Sequence, residues 1–349
     1  MMGYSPFNWR IMGVIFAALI IPVLYVLGRD LTGSWIWGSV AALLFALDFM
    51  HYTLARISTV DTYVVFFSLF SQVFFLKFLK TMNHSRGVSF WIVLPWAVFF
   101  GLAFSTKWYA LFGLLGQFFL LAALRNRCEK VNGDDTWVSH TQNLTKIFII
   151  FLVAGGAVYF STYIPQMNTG NGILDVVREQ FSMFSYHYDL NATHTFSSPW
   201  YSWPIIYRPV WLSFSEFSAG SVSTIAVLGN PAVWWIGIVA VLYCLYKFFR
   251  EKDLASLFIL MAFFFQWIPY AFLSRPLFLY HYYINVPILC LATAIFLKEV
   301  FCKGKLRLVV LVYLFVTVYL FIMFYPIISG NPAPGDLVYS LRWFNSWIF

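Results

Sequence analysis

The chain has 349 residues, of which 61% are hydrophobic, 22% aromatic and only 10% charged. Soluble globular domains carry about 25% charged residues, so this composition excludes a soluble enzyme and indicates a polytopic membrane protein. The formal net charge of +8 does not indicate nucleic-acid binding, because an excess of Lys and Arg in a membrane protein usually reports its topology.

Ten apolar runs have lengths that approach the roughly 20 residues a helix needs to cross a bilayer. Several of them begin or end on Trp or Tyr, as is typical of residues at the membrane interface. The pattern predicts an all-α transmembrane bundle of about ten helices. In chain order the predicted spans are Ile11–Leu27, Trp35–Phe49, Val60–Leu79, Trp91–Phe104, Tyr109–Leu124, Ile147–Ile164, Ile225–Phe248, Ala255–Leu273, Tyr282–Leu297 and Leu308–Ile328.

A long polar interval, residues 166–220, interrupts this otherwise apolar chain. Within it, the segment from Tyr186 to Val210 carries two histidines, an acid and an arginine among aromatic residues and prolines. Loops held by a rigid scaffold often carry binding and catalytic groups. We therefore predict one transmembrane domain, residues 1–349, in which this loop forms the wall or lid of an active site. The alternative is an aromatic loop that lies on the bilayer surface.

The basic residues divide unequally between the two sides of the predicted bundle. Fifteen Lys and Arg fall on one side and seven on the other, which contains the long loop. The richer side is predicted to be cytoplasmic, so the loop and both chain ends are predicted to lie outside. Because Arg10 directly precedes the first span, we expect a further helix ahead of Met1 in a longer protein; the alternative is N-out insertion.

Single cations on the predicted outer side stand beside polar or aromatic residues at helix ends. Ionisable groups at membrane depth are costly, so they indicate a functional site. Arg binds phosphate through a fork of donors and Lys through a point charge, so this face suits the phosphate of a lipid head group. These cations are Arg56, Lys107, Arg208 and Arg275.

Acids, histidines and flat aromatic rings accompany these cations. A carboxylate or imidazole supplies a general base for an acceptor hydroxyl, and aromatic faces suit a sugar ring or an isoprenoid. The combination predicts group transfer from a lipid phosphate carrier to an acceptor outside the cytoplasm. The candidate acids and bases are Asp48, Asp61, Asp189, His187 and His194, and the candidate aromatic residues are Trp200, Tyr201 and Trp203.

Familiar motifs for metals and nucleotides do not occur in the sequence. The four cysteines form no CxxC pair and none lies in the long loop, so neither a disulfide framework nor a zinc site is predicted. The histidines lack metal-ligand spacing, and no Walker loop or GxGxxG after a strand is found. We predict no metal and no cofactor.

Short motifs along most of the chain resemble those of the protein O-mannosyltransferases, in their bacterial form. Each motif is weakly specific alone, but their order and spacing together are more specific. The motifs are Pro6-Phe-Asn-Trp-Arg10; Leu47-Asp48 with Ala55-Arg56-Ile57 and Asp61; Thr106-Lys107-Trp108; Tyr186-His187 with His194, Ser198, Trp203-Pro204 and Arg208-Pro209-Val210; Leu228-Gly-Asn-Pro-Ala232; Tyr280-His281-Tyr282; and Leu341-Arg342-Trp343-Phe344-Asn345-Ser346-Trp347.

The resemblance implies a membrane glycosyltransferase of the GT-C type, active on the outer face of the plasma membrane. Such an enzyme moves mannose, with inversion, from a polyprenyl-phosphate carrier to Ser or Thr hydroxyls of secreted or membrane proteins. An association with the secretion machinery is a further expectation, and no nucleic-acid partner is expected. By similarity, Arg56, Lys107 and Arg208 hold the donor phosphate. The residues that shape the site are His187, His194, Trp203 and His281.

The resemblance also predicts a difference from the family at the start of the chain. Family members carry an acidic motif in a first external loop, followed by a run similar to His-Pro-Pro-Leu-Gly-Lys. Nothing in Met1–Arg10 matches it, so we expect this chain to lack the N-terminal helix, that loop and the usual catalytic acid. Asp61 and Asp48 are then the candidate catalytic acids.

Other functions stay open at this point. A polytopic transporter or flippase would also need many helices and intramembrane charges, although the two halves of the chain show no repeat of the kind found in transporters. A lipid-linked sugar transferase with a lipid or glycan acceptor would share the donor side of the site. An inactive partner subunit would fit the expected absence of the acid.

Overall fold

The computed structural model describes residues 5–82, 89–132, 144–190, 192–217 and 220–349. Its helices over the first half of the chain are α1 (Pro6–Thr32), α2 (Trp35–Ala46), α3 (Phe49–Arg56), α4 (Asp61–Met82), α5 (Phe90–Thr106), α6 (Ala110–Asn132), α7 (Leu144–Ser161), α8 (Ile164–Met167) and α9 (Ile173–Asp189). Those of the second half are α10 (Pro231–Glu251), α11 (Leu254–Trp267), α12 (Val286–Cys302), α13 (Arg307–Ser329) and α14 (Gly335–Ser340).

A small antiparallel sheet accompanies the helices, with strands β1 (Val210–Glu216), β2 (Ser221–Val227) and β3 (Ala333–Pro334) in the order β1-β2-β3. Val210 pairs with Val227 and Glu216 with Val222, and the register shifts between Trp211 and Ser213. The all-α class is confirmed for the bundle, but the sequence analysis did not predict this sheet. Its two longer strands lie at the end of the long polar interval and just beyond it.

The described chain contains seven helices that are long and apolar enough to cross a membrane, or eight when the bent pair α2 and α3 is taken as one span. The predicted number of ten is therefore too high. Two of the predicted spans, in α5 and α6, correspond to shorter apolar helical segments, Phe90–Thr106 and Ala110–Leu124. The protein is a multi-pass membrane protein.

Two predicted spans have different boundaries in the structure. The span predicted from Ile225 begins instead at Pro231, because β2 continues to Val227 and Asn230 caps α10 with its side chain. The predicted span Trp35–Phe49 is broken near Asp48, where α2 and α3 meet at 59°. The residues 166–220 contain α9, a 3₁₀ helix at Trp200–Ile205 and β1, so much of the long loop is regular structure.

The chain forms two compact units. The first unit contains Met1–Thr62, Ala192–Phe263 and Pro276–Phe349, and the second contains Tyr63–Asn191 and Phe264–Arg275. In the second unit, Trp96 of α5 is fully buried and donates its indole N–H to Gln117 Oε1 at 2.7 Å. Aromatic rings from three neighbouring helices pack around that indole; these are Phe75, Phe78, Phe118 and Phe151.

The first unit is organised around the buried Asp48 carboxylate. Asp48 caps α3 by accepting a hydrogen bond from His51 N at 3.1 Å. Its second oxygen accepts from Asn230 N at 3.1 Å and from Trp234 Nε1 at 2.8 Å. One side chain thereby joins the break between α2 and α3 to the first turn of α10.

Asn230 extends this network to two further backbone segments. Its side-chain Nδ2 donates to Leu47 O at 3.0 Å and to Thr317 O of α13 at 3.2 Å. The neighbouring Gly229 has no room for a side chain, because a Cβ there would lie 2.0 Å from the Trp234 ring. The motifs around Asp48 and Asn230 are far apart in the sequence but are in direct contact in the structure.

We predict that Asp48→Ala strongly lowers the stability of the protein. The substitution leaves three buried N–H donors without their acceptor, and an unsatisfied buried donor costs about 1–3 kcal/mol. A decrease of about 3 kcal/mol or more in the free energy of unfolding is expected. Unfolding of the detergent-purified protein, followed by loss of monodisperse elution on heating, measures the change.

Asp336→Ala is the control, because Asp336 is an exposed acid of α14 and its loss should leave the unfolding midpoint nearly unchanged. Equal unfolding midpoints for Asp48→Ala and Asp336→Ala would contradict the structural role of Asp48.

Candidate active site

A groove of about 310 Å³ lies in the first unit, where α1, α3, β2 and α13 meet. Arg10 and Arg56 both line it, and the rest of its wall is mainly apolar. A cavity with cations on an apolar wall fits the junction between a phosphate and a hydrocarbon chain. The other lining residues are Pro6, Phe7, Ile11, Val14, Thr53, Ile57, Ile225, Ile328 and Ser329.

Arg56 is the last residue of α3, and its guanidinium is only partly occupied by protein contacts. Nη1 donates to Tyr52 Oη at 3.0 Å and to the carbonyl of Ser329 at 3.3 Å. The guanidinium carbon also lies 5.2 Å from the centre of the Tyr52 ring. Nε and Nη2 donate to no group in the described part of the chain, so the open edge of the fork is available to an anion.

The turn after Arg56 fixes the entrance of the groove. Ser58 has a φ of 58°, a left-handed conformation that stops the helix, and its hydroxyl donates to the carbonyl of Trp9 at 3.0 Å. This contact holds the end of α3 against the first turns of α1, which carries Arg10. The Pro6–Arg10 motif and the Ala55–Ile57 motif of the sequence therefore form opposite sides of one groove.

Arg208 lies in the first unit beside a strained backbone segment. Ile206 is fully buried with a φ of 57°, which is costly for a β-branched residue. Trp347 holds it in place by donating its indole N–H to the Ile206 carbonyl at 2.7 Å. Arg208 Nε is buried and has no hydrogen-bond partner among the residues that the structure describes. Such an unpaired donor is a ready contact for an anion.

Trp203 and His281 are buried together in the first unit, and their rings stack with centroids 6.0 Å apart. His281 Nδ1 lies 3.0 Å from the carbonyl and 3.1 Å from the amide nitrogen of Phe278. His194 is exposed, packs its ring on Phe278, and accepts from the amide of Phe196 at 3.1 Å. Of these three residues, His194 alone presents its side chain to solvent.

The two candidate acids are both buried in the first unit, with 0% of Asp48 and 3% of Asp61 exposed. Asp48 accepts from the His51 backbone N–H, and His51 Nδ1 lies 2.7 Å from Tyr283 Oη, so Asp48 belongs to a buried polar cluster. The burial of both acids favours a structural role, and their catalytic role stays a prediction.

Lys107 belongs to the second unit, where it caps α5 with an extended backbone. Its ammonium nitrogen lies 5.6 Å from the centre of the Tyr109 ring. The next residue, Trp108, donates its indole N–H to Tyr159 Oη of α7 at 3.0 Å. Tyr159 Oη in turn donates to Gln180 Oε1 of α9. Lys107 is therefore placed beside a polar chain that runs from α5 to α9.

His187 also belongs to the second unit, and its Nδ1 lies 2.8 Å from Arg275 Nη1. Partial burial of the imidazole and then the positive charge of Arg275 lower the pKa of His187 below its ordinary value of 6.5. Because Arg275 is a permanent donor, Nδ1 of a neutral His187 is the acceptor. The sequence predicts both residues on the outer side but does not predict their contact.

Several residues that complete these arrangements were not predicted from the sequence. Arg10, Tyr52 and Ser329 surround Arg56, and Trp347 supports the backbone next to Arg208. A signal existed for Arg10 and Trp347, since each belongs to a motif of the family resemblance. Among the described residues, no group of three or more His, Cys, Asp or Glu side chains is placed to hold a metal ion.

Comparison with known proteins covers nearly the whole chain. Residues 3–169 match the family model described as dolichyl-phosphate-mannose-protein mannosyltransferase, and residues 173–347 match the C-terminal four transmembrane region of protein O-mannosyltransferase. The polyprenol-phosphate-mannose–protein mannosyltransferase of Corynebacterium glutamicum is 25% identical over 99% of this chain and 78% of its own length. The protein of the same name from Mycobacterium tuberculosis is 22% identical over 99% of this chain and 77% of its own length.

The fold is similar to that of a solved structure. A chain of the Saccharomyces cerevisiae protein O-mannosyltransferase Pmt1-Pmt2 complex, bound to the sugar donor, superposes with a TM-score of 0.81 at 12% identity. The match covers 98% of this chain and 81% of the yeast chain. The fold is therefore of the GT-C type, and the chain belongs to the protein O-mannosyltransferase family, the membrane mannosyltransferases that its sequence motifs resemble.

Proposed function

We propose that this enzyme takes mannose from a polyprenyl-phosphate carrier and transfers it, with inversion, to Ser or Thr hydroxyls of exported proteins. The outer face of the plasma membrane is the proposed site of the reaction. The observation that carries the proposal is the Arg56 groove, where a guanidinium with an open edge meets an apolar wall. A lipid phosphate requires both features, since its phosphate is charged and its chain is hydrocarbon.

In the proposed reaction, the acceptor hydroxyl oxygen attacks the anomeric carbon of mannose while the bond from that carbon to the phosphate oxygen breaks. The leaving group is the polyprenyl phosphate, which gains negative charge as it departs. The open donors of Arg56 stabilise that charge, because preorganised donors act most strongly where charge develops. We propose that Arg208 also contacts the phosphate, and that His194 lies on the acceptor side. A phosphate contact by Lys107 stays a prediction from the family resemblance.

The acceptor hydroxyl must lose a proton to a base during this transfer. Asp61 is the base that we propose for this proton, whereas Asp48 is the less suitable of the two candidate acids because it already accepts three hydrogen bonds. Asp48 acts instead as a positioning residue in this proposal. It caps α3, the helix whose last residue is Arg56.

The proposal is tested by a transfer assay on the full-length protein in membranes, with radiolabelled polyprenyl-phosphate-mannose and a Ser/Thr-rich peptide. We predict that Arg56→Gln lowers kcat/KM for the donor by about tenfold to 150-fold, the loss expected for one charge-assisted hydrogen bond. Arg56→Lys should recover part of the activity, since it keeps the charge but loses the fork.

Arg29→Gln is the matched control, because Arg29 lies at the other end of α1 and pairs with Asp30 at 2.8 Å. It should transfer mannose at the wild-type rate. Equal donor kinetics for Arg56→Gln and Arg29→Gln would exclude Arg56 as a phosphate ligand. Absence of transfer by the wild-type protein, with a positive reference enzyme in the same assay, would contradict the proposed activity.

We predict that the long loop faces the outside of the cell. Asn191 lies outside the described residues, so the nearby exposed Thr193 is substituted by Cys. In intact cells, Thr193→Cys should react with a membrane-impermeant maleimide. The exposed native Cys302, on the predicted cytoplasmic side, should react only after lysis, and Cys302→Ser identifies its signal. Protection of Thr193→Cys until lysis would invert the proposed topology.

We predict that His187 is neutral near pH 7 and that its contact with Arg275 weakens on acidification. A histidine whose pKa is lowered in the folded state stabilises the folded protein at pH values above its unfolded pKa. This stabilisation is lost as the pH falls through the lowered pKa. Arg275→Gln should move the His187 pKa back towards 6.5. Histidine-selective NMR in nanodiscs measures it, with the His187 signal identified by its loss in His187→Gln.

Arg178→Gln is the control for this titration. Arg178 is nine residues from His187 on α9, about 13 Å along the axis, so its charge is largely screened at physiological salt. It should leave the His187 pKa unchanged. A His187 pKa above 6.5 in the wild type, or no difference between Arg275→Gln and Arg178→Gln, would refute the assignment.

A further inference from the structure

Helix α9 carries an exposed apolar stripe. Besides Tyr186, which lies on another side of the helix, six of its apolar side chains are between 37% and 73% exposed, although such residues are usually buried in a folded protein. At 3.6 residues per turn their directions fall within an arc of about 100°. The stripe consists of Ile173, Leu174, Val177, Phe181, Phe184 and Tyr188.

A polar arc of α9 adjoins the stripe and is also exposed. It follows the stripe around the helix and spans a similar angle. The two arcs differ in chemistry and not in exposure, which is the pattern of a helix at a boundary between hydrocarbon and water. The polar arc consists of Asp175, Arg178, Ser182, Ser185 and Asp189.

The third arc of α9 is attached to the protein. Val176 is fully buried, and Glu179 Oε2 accepts from Gln166 Nε2 at 2.6 Å. Gln180 Oε1 accepts from the hydroxyls of Tyr159 and Tyr163. The helix is thus fixed in rotation, with its apolar stripe on one side of the attached arc and its polar arc on the other.

These attachments place α9 at the end of a membrane span. Tyr159 lies in the last turn of α7, a span that is only 22% buried inside the protein and therefore mostly faces lipid. Tyrosines at the end of a span mark the membrane interface. Phe160 in the last turn of the span and Ile164 just beyond it expose 38% and 52% of their surfaces, so an exposed apolar surface extends along the chain from α7 towards α9.

The charges of α9 indicate whether its binding to a membrane requires anionic lipid. The helix carries three acids and one arginine, so an anionic membrane surface does not attract it. Apolar burial remains as the driving force, and aromatic side chains contribute a large buried area each. A neutral lipid surface is therefore sufficient for binding of α9.

We infer that α9 is an interfacial membrane helix, whose apolar stripe is immersed in the lipid beside the end of α7 while its polar arc faces water. The inference depends only on the membrane-spanning character of the chain and not on the proposed reaction. It adds a function for part of the long loop. Trp108 donates to the same Tyr159 hydroxyl that contacts Gln180, so immersion of α9 also fixes the depth of the neighbouring Lys107.

Electron paramagnetic resonance of the full-length protein in phosphatidylcholine nanodiscs tests this inference. Nitroxide labels are attached singly to Phe181→Cys and Phe184→Cys in the stripe, and to Ser182→Cys and Asp175→Cys in the polar arc. The native cysteines are replaced by serine or alanine. Power saturation then reports the accessibility of each label to apolar oxygen and to a water-soluble nickel chelate.

The stripe labels should be several-fold more accessible to oxygen than to the nickel chelate, and the polar-arc labels should show the reverse. The same contrast is expected when anionic phosphatidylglycerol is added or when the salt concentration is raised. Val177→Cys replaces either stripe variant if its elution shows misfolding, so the stripe is always sampled.

Three outcomes would overturn the inference. Equal access of the nickel chelate to stripe and polar arc would place the stripe in water. Low access of both reagents to the stripe would show that protein, either a second copy of the chain or another partner, covers it. Immersion only in anionic lipid would show that charge, not the apolar stripe, drives binding.

Discussion

The hydrogen-bonded Asp48 carboxylate is the constraint on which the first unit depends. It lies at the break between α2 and α3 and caps α3. It also accepts hydrogen bonds from the Asn230 backbone N–H and the Trp234 indole at the start of α10. The side-chain amide of Asn230 donates to the carbonyls of Leu47 and Thr317. A buried charge is tolerated only when its hydrogen bonds are satisfied, so this cluster specifies one arrangement of four helices.

The Arg56 groove is a geometric consequence of that arrangement. Asp48 starts α3 and Arg56 ends it, eight residues later, so the angle at the break between α2 and α3 aims the guanidinium at the groove. The chain then turns at Ser58 and is held against α1. We therefore propose that Asp48, a candidate catalytic acid from the sequence, supports the cation that is proposed to contact the donor.

The sequence predicted the membrane class and the family, because these depend on composition and on local motifs. The roles of the cations that it singled out stay predictions. The sequence did not predict the groove, since Ser329 and Ile225 approach Arg56 from distant parts of the chain. The sheet was missed because two strands of seven residues are hard to distinguish from loop and span, and Ile225 was assigned to a helix for that reason. The apolar residues of the α9 stripe recur at helical spacing in the sequence. Their exposure could not be predicted, because it depends on the contacts with Tyr159 and Tyr163 that fix the rotation of the helix.

The central claim is that the groove beside Arg56 receives the phosphate of the lipid donor while Asp48 supports the groove without touching it. Cryo-electron microscopy of the full-length protein in nanodiscs, with and without polyprenyl-phosphate-mannose, tests this most directly. The account predicts phosphate density at hydrogen-bond distance from the Arg56 guanidinium, about 2.7–2.9 Å, and an unchanged hydrogen-bonding of Asp48. Phosphate density away from Arg56, or a donor in direct contact with Asp48, would contradict it.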